Sequence, residues 1–390
     1  MQFITCFLAS LKLGLTSFGG PVAHLGYFRE AYVVKHGWVS EERFAELLAL
    51  CQFLPGPASS QLGAIIGFEK GGWLGALGSW IGFTLPSAIL MIMLAVGLQP
   101  ISEVVGTGWI HGLKLAAIAI VALAVIGMYK KLCPGLPQLY VAIGSLGVLL
   151  MASQAWLQPL VILLGGIFGA YLFSESKVRV KKDAVEKLGR LPILSVVGLA
   201  AFIGAVCCLP FLAQMGSGAE AAAGLLRAGS LVFGGGHVVL PLLESSFVGA
   251  DLMEQDSFLA GYGAAQAVPG PMFTLASYLG ASVGIGGNPW LGGITGTAAI
   301  FAPGMLLLIA GVPVWNWLKG MSRARGAVMG ANAAVVGLLA AALVSMFKAG
   351  VVTEALDFVI IVPIFLAIGT RKVPAWLAVL MAGVLGGIIW

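Results

Sequence analysis

Charged side chains are scarce in this chain of 390 residues, making up 9% of it, whereas 59% of the residues are hydrophobic. A soluble domain carries about 25% charged residues, because its surface must be hydrated. The composition therefore excludes an ordinary soluble enzyme. It also excludes intrinsic disorder, which requires low hydrophobicity, since the mean hydropathy here is +1.01.

Cysteine is also scarce, and common enzyme motifs are missing. The cysteines show neither a disulfide framework nor the spacing of metal ligands: Cys6, Cys51, Cys133, Cys207 and Cys208. The sequence has no His-Glu-x-x-His motif of metalloproteases and no Gly-x-x-x-x-Gly-Lys phosphate loop. We therefore predict that the chain is not an enzyme and requires no cofactor or metal.

Long stretches without charge indicate a membrane protein. They cover residues 71–102, 132–174, 191–219, 257–318 and 326–347. Each can span ~30 Å of hydrocarbon at least once, and none alternates polar and apolar residues as strands of a β-barrel do. The predicted fold class is an all-α polytopic membrane protein. The net charge of +5 is spread between the apolar segments, so we interpret it as a topology signal rather than a nucleic-acid site.

The chain contains an internal repeat. Two motifs of the first half recur in the second. Residues 12–20 match residues 227–235, and both end in Phe-Gly-Gly. Residues 52–57 match residues 266–271, and both end in Pro-Gly-Pro. Membrane transporters are often built from two such related halves. The predicted organisation is a first repeat, a basic cytoplasmic linker with one connecting transmembrane helix, and a second, inverted repeat: 1–173, 174–216 and 217–390.

Positive charge marks cytoplasmic loops and predicts that the two repeats have opposite orientations. Lys130 and Lys131 follow the fifth apolar segment of the first repeat, whereas Lys319 and Arg371 follow the fourth and sixth segments of the second. This pattern predicts a cytoplasmic N-terminus and an outside C-terminus. We expect about nine full spans plus four re-entrant hairpins, with ordinary spans in place of the hairpins as the open alternative.

Broken helices at corresponding positions of inverted repeats are the best sequence indication of a transport site. Proline prevents a continuous helix, so helices that restart after Pro57 and Pro271 would direct free backbone amides towards an anion. We predict that the tips of the broken helices bind the substrate: Phe18, Gly19, Gly20, Gly234, Gly235, Gln52, Pro55, Gly56, Pro57, Gln266, Pro269, Gly270 and Pro271.

Two cations, Lys12 and Arg227, lie inside apolar segments at equivalent positions of the repeats. A charge at that depth is costly unless it faces a partner or a cavity, so we expect both to contact the anion. Lys114 and its repeat counterpart Asn332 are further substrate-binding candidates. Snorkelling of the Lys114 side chain to the interface is the alternative.

Histidines follow both Phe-Gly-Gly sequences, at His24 and His237. Because histidine titrates near neutral pH, either could couple anion movement to protons. A neutral, hydrogen-bonded histidine is the alternative. Glu30 and Glu244 lie downstream, as proton acceptors for coupling or as ordinary solvated loop ends.

The same motifs resemble a known family. Phe18-Gly-Gly-Pro-Val-Ala-His24 and Gln52-Phe-Leu-Pro-Gly-Pro57 resemble the signature of the chromate ion transporter family, and Ala267-Val-Pro-Gly-Pro271 resembles that of its second domain. The resemblance covers nearly the whole chain and is to the long, two-domain members. It implies a protein of the bacterial or archaeal inner membrane that confers chromate resistance by proton-driven efflux of chromate, a sulfate-like tetrahedral dianion.

Together these observations predict a secondary active antiporter that exports chromate across the plasma membrane. The expected partners are chromate or a sulfate-like oxyanion, a proton and the lipid bilayer, with no nucleic acid; a homodimer is one open form of assembly. An importer or exchanger of sulfate or another oxyanion would differ only in flux direction. A membrane-embedded enzyme or assembly factor, the third alternative, would require a reactive group of residues that the sequence does not show.

Overall fold

The computed structural model describes residues 2–152, 154, 156–173, 193–233, 236–312, 315, 321–370 and 372–390. These residues form helices and contain no β-strand, which confirms the all-α fold class. Residues 174–192 of the predicted basic linker lie outside the described residues, as do Gly234, Gly235, Lys319 and Arg371.

The first half contains α1 (Gln2–Thr16), α2 (Gly20–Phe28, continued by a π-helix, Arg29–Lys35), α3 (Glu41–Phe53), α4 (Ala58–Val105), α5 (Gly108–Leu132), α6 (Leu136–Met151) and α7 (Leu157–Leu172). A connecting helix, α8 (Ile193–Leu212), leads to the second half. There the helices are α9 (Ser217–Leu231), α10 (Val239–Phe247), α11 (Gln255–Ala267), α12 (Leu275–Val283), α13 (Pro289–Gly311), α14 (Ser322–Lys348), α15 (Phe358–Gly369) and α16 (Ala375–Ile389). Short 3₁₀ turns precede α10, α12, α13 and α15: Gly236–Val238, Met272–Thr274, Ile285–Gly287 and Ala355–Asp357.

Helix α4 is a hairpin with two arms. Its backbone leaves the helical conformation at Gly71 and Gly72, and a Cβ atom on Gly67 would lie 2.8 Å from Ser79 Cβ on the second arm. Helices α12 and α13 form the corresponding hairpin in the second half, where Gly280 packs against the backbone of α13. In each hairpin a short helix follows the Pro-Gly-Pro turn and packs against a long one. The short helix is the first arm of α4 in the first half and α12 in the second, and the long helix is the second arm of α4 or α13.

The chain also reverses at the helix breaks. In the first half, Ser10 Oγ of α1 lies 2.8 Å from the Tyr32 hydroxyl beyond α2, and Arg43 Nε of α3 donates to Glu69 Oε1 of α4 at 2.7 Å. In the second half, the Tyr278 hydroxyl of α12 donates to a backbone carbonyl of α11. Such contacts between consecutive helices that are separated by a break mean that the second helix folds back along the first, as expected for re-entrant hairpins.

Helices α5 and α14 each pack against the last helix of the other half. The contacts are made by glycine or alanine on both helices, Gly108 and Gly112 of α5 with Gly386 and Ala382 of α16, and Gly326 and Gly330 of α14 with Gly169 and Gly165 of α7. Small residues let membrane helices approach closely. In both pairs the residue numbers rise along one helix as they fall along the other, so the helices are antiparallel. Because α6 returns the chain between α5 and α7, α14 also runs opposite to α5, and the two halves are inverted.

Nine full membrane spans are expected from the sequence, but four of the helices in question are too short to cross the hydrocarbon layer of a bilayer. Stretches within α4, α5, α8, α13 and α14 are long and apolar enough to cross a membrane. Helices α6, α7, α15 and α16 have 12 to 16 residues, about 18–24 Å at 1.5 Å per residue, against ~30 Å of hydrocarbon. The connection between α6 and α7 opens into a cavity lined by Leu149, Gln154 and Gln158, so these two helices end at a cavity instead of continuing.

Candidate functional site

The Pro-Gly-Pro turn of each half lies against a broken helix end of the other half. The Gly56 amide donates to the Val232 carbonyl oxygen at 2.7 Å, and the Gly270 amide donates to the Ser17 carbonyl oxygen at 2.9 Å. Ser17 and Val232 each stand directly before a Phe-Gly-Gly sequence. The helix breaks predicted from the sequence therefore meet where the two halves join.

Both turns require glycine at their centre. Gly56 has φ +121° and Gly270 has φ +102°, a region that residues with a Cβ atom rarely occupy. A Cβ atom would lie 2.8 Å from Gly304 Cα of α13 at Gly56, and 2.8 Å from Ser87 Oγ of α4 at Gly270. The flanking prolines are buried or half-buried: Pro55, Pro57, Pro269 and Pro271. Each turn is thus held tightly against a long helix of the other half.

Gln61, in the first turn of α4, braces the Pro-Gly-Pro turn before it. Its Nε2 donates to the Gly304 carbonyl oxygen at 2.8 Å and to the Pro55 carbonyl oxygen at 3.1 Å. Since both neighbours are acceptors, the amide nitrogen must face them. Gln61 Oε1 is buried and has no partner among the described residues, so it can accept a hydrogen bond from water or a ligand. A lone glutamine beginning an apolar helix offers no sequence signal, and sequence reasoning missed it.

His24 in α2 is 1% exposed. Neither ring nitrogen makes a hydrogen bond of ordinary geometry within the described chain, although the Ser17 backbone is near. Buried hydroxyls of the first half that also lack a partner there include those of Ser17, Ser60 and Thr84. A buried polar group without a hydrogen bond costs about 1–3 kcal/mol. These atoms therefore mark a place where water or a ligand completes the structure.

The second half does not reproduce this polar set. At the equivalent positions, Val232 replaces Ser17, Leu275 replaces Gln61 and Phe301 replaces Thr84. Thr274, the counterpart of Ser60, donates its hydroxyl to the Pro271 carbonyl oxygen at 2.8 Å. The interface is two-fold in its backbone contacts but one-sided in its buried polar atoms.

A cavity of about 340 Å³, here named the tip cavity, borders the helix breaks. Several predicted substrate-binding or proton-coupling residues line it: Gly19, Gln52, Gly56, His237 and Asn332. Ala58 and Ser59, at the start of α4, line it as well, and the first amides of a helix have no partner within that helix. Lys131, interpreted from the sequence only as a topology signal, also lines the cavity. This arrangement can hold an anion between a helix N-terminus and a cation.

The two symmetric cations lie on the first helix of each half. Lys12 is exposed on α1, and Arg227 is half-buried on α9. Within the described part of the chain, neither belongs to an ion pair: the pairs are formed by Arg29, Lys35, Arg43, His111 and Lys114. Both remain available for an anion.

Lys12, Arg227 and His24 do not line the tip cavity, and three other candidates also lie apart from it. Lys114 is buried in α5 and its Nζ contacts Asp256 Oδ1 at 2.9 Å. Glu30 is exposed and pairs with Lys35 at 3.6 Å. Glu244 lines a second cavity and accepts a hydrogen bond from Gln255 Nε2 at 3.3 Å.

The remaining tip residues have neighbours of their own. The Phe18 ring centroid lies 5.1 Å from that of Trp376 on α16, and Gly20 begins α2. Gln266 Nε2 lies 2.7 Å from Met272 Sδ. His237 Nδ1 lies 3.1 Å from the Tyr262 hydroxyl.

The Gly-x-Ser-x-Gly pattern, which surrounds the nucleophilic serine of many hydrolases, occurs once as Gly280-Ala-Ser-Val-Gly284. In hydrolases this serine stands at a sharp turn from strand to helix, whereas Ser282 lies within α12. Among the described residues, no three metal-ligating side chains come together.

Inverted halves with broken helices at their interface define a polytopic membrane protein built like a transporter. The model of the chromate transporter family matches residues 4–170 and 219–387. The chain therefore belongs to the chromate transporter family, in its long, two-domain form.

Full-length relatives agree with this assignment. The chain is 26% identical to the chromate transport protein of Pseudomonas aeruginosa, covering 100% of this chain and 93% of the relative. It is equally 26% identical to the chromate transport protein of Cupriavidus metallidurans, covering 96% and 90%. An uncharacterized transporter of Methanocaldococcus jannaschii is also 26% identical, covering 99% and 94%. No solved structure matches the chain at a significant level.

Proposed function

We propose that this protein is a secondary active transporter that exports chromate from the cytoplasm of a bacterium or archaeon across the plasma membrane, in exchange for protons. The chromate transport proteins among its relatives support chromate as the substrate. Loop charges support a cytoplasmic N-terminus and an outside C-terminus. In agreement with opposite locations, Gln2 lies beside Gly71 at one end of the second arm of α4, and Trp390 lies beside Gly108 at the other.

The observation that carries the proposal is the meeting of the helix breaks beside the tip cavity. Gly56 and Gly270 each join a turn of one half to a helix end of the other, so substrate at this interface contacts both halves at once. Rocking of two inverted halves about such a site would expose it to each side of the membrane in turn. A tetrahedral dianion suits the cavity, because helix N-termini and cations stabilise negative charge.

Proton coupling is assigned to His24 and His237, with Glu30 and Glu244 as acceptors nearer the surface. Histidine changes charge near neutral pH. A proton on His24 would attract the dianion, and its loss would release it. Because Glu30 pairs with Lys35 away from the tip cavity, its role would be limited to exchange with water at the surface.

Lys12→Gln should abolish chromate resistance while leaving the protein in the membrane. An unpaired cation in an apolar helix raises the free energy of the protein. An anion that binds beside Lys12 would neutralise this charge, and the relief of that cost would favour binding. The measurement is growth on chromate together with the amount of membrane-inserted protein. The control is Lys35→Gln, which removes an exposed, ion-paired cation. Normal resistance in the Lys12 variant would remove this residue from the site.

The decisive experiment is chromate uptake into everted membrane vesicles, with and without an imposed proton gradient, and with excess sulfate as competitor. We expect gradient-dependent accumulation that sulfate inhibits, because sulfate has the same shape and charge. Vesicles without the protein are the control. Accumulation no greater than in those vesicles would contradict the chromate function and leave an inverted-repeat transporter of another anion.

A further inference from the structure

A second cavity lies at the far end of α6 from the tip cavity. It measures about 390 Å³, is here named the distal cavity, and is lined by polar residues that include Gln158, Glu244, Ser245 and Lys348. Leu132, next to the start of α6, lines the tip cavity, whereas Leu149, near the end of α6, lines the distal one. The two cavities therefore lie at opposite ends of α6.

Each cavity has one lysine in its lining, near the end of a long helix. Lys131 lies in the last turn of α5 and Lys348 in the last turn of α14, and α5 and α14 run in opposite directions. Both lysines are exposed, and neither forms an ion pair with a described residue. Among the described residues, each cavity thus has one lysine without an ion pair.

The charges of the two cavities differ in one respect. In the described part of the chain, the lining of the tip cavity includes Lys131 but no carboxylate. The lining of the distal cavity includes both Lys348 and the half-buried Glu244. Its hydrogen bond from the neutral Gln255 leaves a full negative charge when it is ionised. An anion therefore meets a net positive tip cavity and a distal cavity in which the charges of Glu244 and Lys348 offset each other.

We propose that these cavities are unequal mouths of the transport path: Lys131 recruits the oxyanion on one face, and Glu244 lowers the affinity for it on the other. This inference rests on the proposed transport function and goes further by assigning a high-affinity and a low-affinity side. A charge of one sign at the mouth of a low-dielectric cleft raises the local concentration of the opposite ion. A carboxylate at the exit has the contrary effect and favours release.

The test compares chromate flux in vesicles of both orientations, since everted vesicles present the Lys131 face to the medium and right-side-out vesicles the Lys348 face. In everted vesicles at low salt, Lys131→Gln should raise the half-saturating chromate concentration about three- to tenfold, and the difference should shrink as salt screens the charge. Lys130→Gln removes the neighbouring charge outside the cavity and should change it less than about twofold. Equal effects of the two variants would overturn the role of Lys131.

The other mouth is tested in right-side-out vesicles. Glu244→Gln should lower the half-saturating concentration about threefold, because a like charge is removed. Glu254→Gln, at an exposed position outside the cavity, should leave it unchanged. An unchanged or higher value for the Glu244 variant would overturn its role. Melting temperatures of the purified variants verify that each is folded.

Failure of transport itself is distinguishable from failure of this inference. If wild-type vesicles show no chromate flux, the proposed function fails. Anion recruitment can then be measured as the rise in melting temperature that sulfate causes in the purified protein. Lys131→Gln should diminish that rise and Lys130→Gln should not; equal rises would overturn the inference.

Discussion

At the scale of single residues, the interface between the repeats contains buried polar groups of the first half that have no hydrogen-bond partner among the described residues. His24, Ser17 and Thr84 are buried, and their polar side-chain atoms lack partners among the described residues. In the second half, the positions equivalent to Ser17 and Thr84 are occupied by the apolar residues Val232 and Phe301. Polar side chains are therefore not needed to build the interface. We propose that water, a ligand or a proton completes these polar atoms.

His24→Phe should raise or preserve the melting temperature while reducing chromate flux at least about tenfold. The change removes two unpartnered nitrogens, each worth about 1–3 kcal/mol when buried, and the new ring would lie among Phe28 and Phe83, which already contact the imidazole. Thermal unfolding in detergent and vesicle uptake measure the two effects. The control is His36→Phe at an exposed position. A destabilised His24 variant with normal flux would show that the imidazole has a structural role only.

At the scale of elements, the Pro-Gly-Pro turns are joints between the halves. Proline ends one helix, glycine supplies the backbone conformation, and the next helix starts at once. The close contacts of Gly56 with Gly304 and of Gly270 with Ser87 leave no room for a side chain. Any motion that separates the halves must break or shift the hydrogen bonds of these two turns.

Gly56→Ala and Gly270→Ala should each lower the melting temperature and abolish flux. A side chain at these φ values costs about 1–3 kcal/mol, and displacement of the packed helix adds to that cost. Gly37→Ala is the matched control, because Gly37 has φ +57° but open space where the Cβ atom would lie. It should show only the smaller conformational cost, about 1–2 kcal/mol, with normal flux. Equal losses in all three variants would mean that the packing at the turns is unimportant.

At the scale of the whole molecule, the halves are interlocked. Helix α5 packs against α16 and helix α14 against α7 through glycine contacts such as Gly112 with Ala382 and Gly330 with Gly165. In addition, each Pro-Gly-Pro turn bonds to the other half. Neither half buries its small-residue surfaces by itself, so we expect the folded unit to be the pair.

Splitting the chain between residues 182 and 183 tests this interlocking. Each polypeptide expressed alone should yield little folded protein, because α5 or α14 would lack the helix it packs against. Co-expression of the two should restore chromate uptake in vesicles, with the intact chain as control. A first polypeptide that folds and transports alone would contradict the interlocked arrangement.

Much of the architecture follows from local features of the chain. Runs without charge dictate helices in a membrane, recurring motifs reveal the repeat, and Pro-Gly-Pro and Phe-Gly-Gly mark the breaks. These properties depend on composition and spacing over a few residues, so the all-α class could be predicted and is confirmed. The Gly165-x-x-x-Gly169 spacing is typical of close helix packing, but it does not identify the partner helix.

The tertiary structure alone decided which residues meet. It joined Gly56 to Val232 and Gly270 to Ser17, paired Lys114 with Asp256, and brought Lys131 to the tip cavity. It also showed four helices shorter than full spans, of which α6 and α7 end at a cavity and so need not cover the full thickness of the bilayer. Such neighbours come from packing between segments distant in the chain, and the pattern of any one segment holds no information about the surface against which it packs.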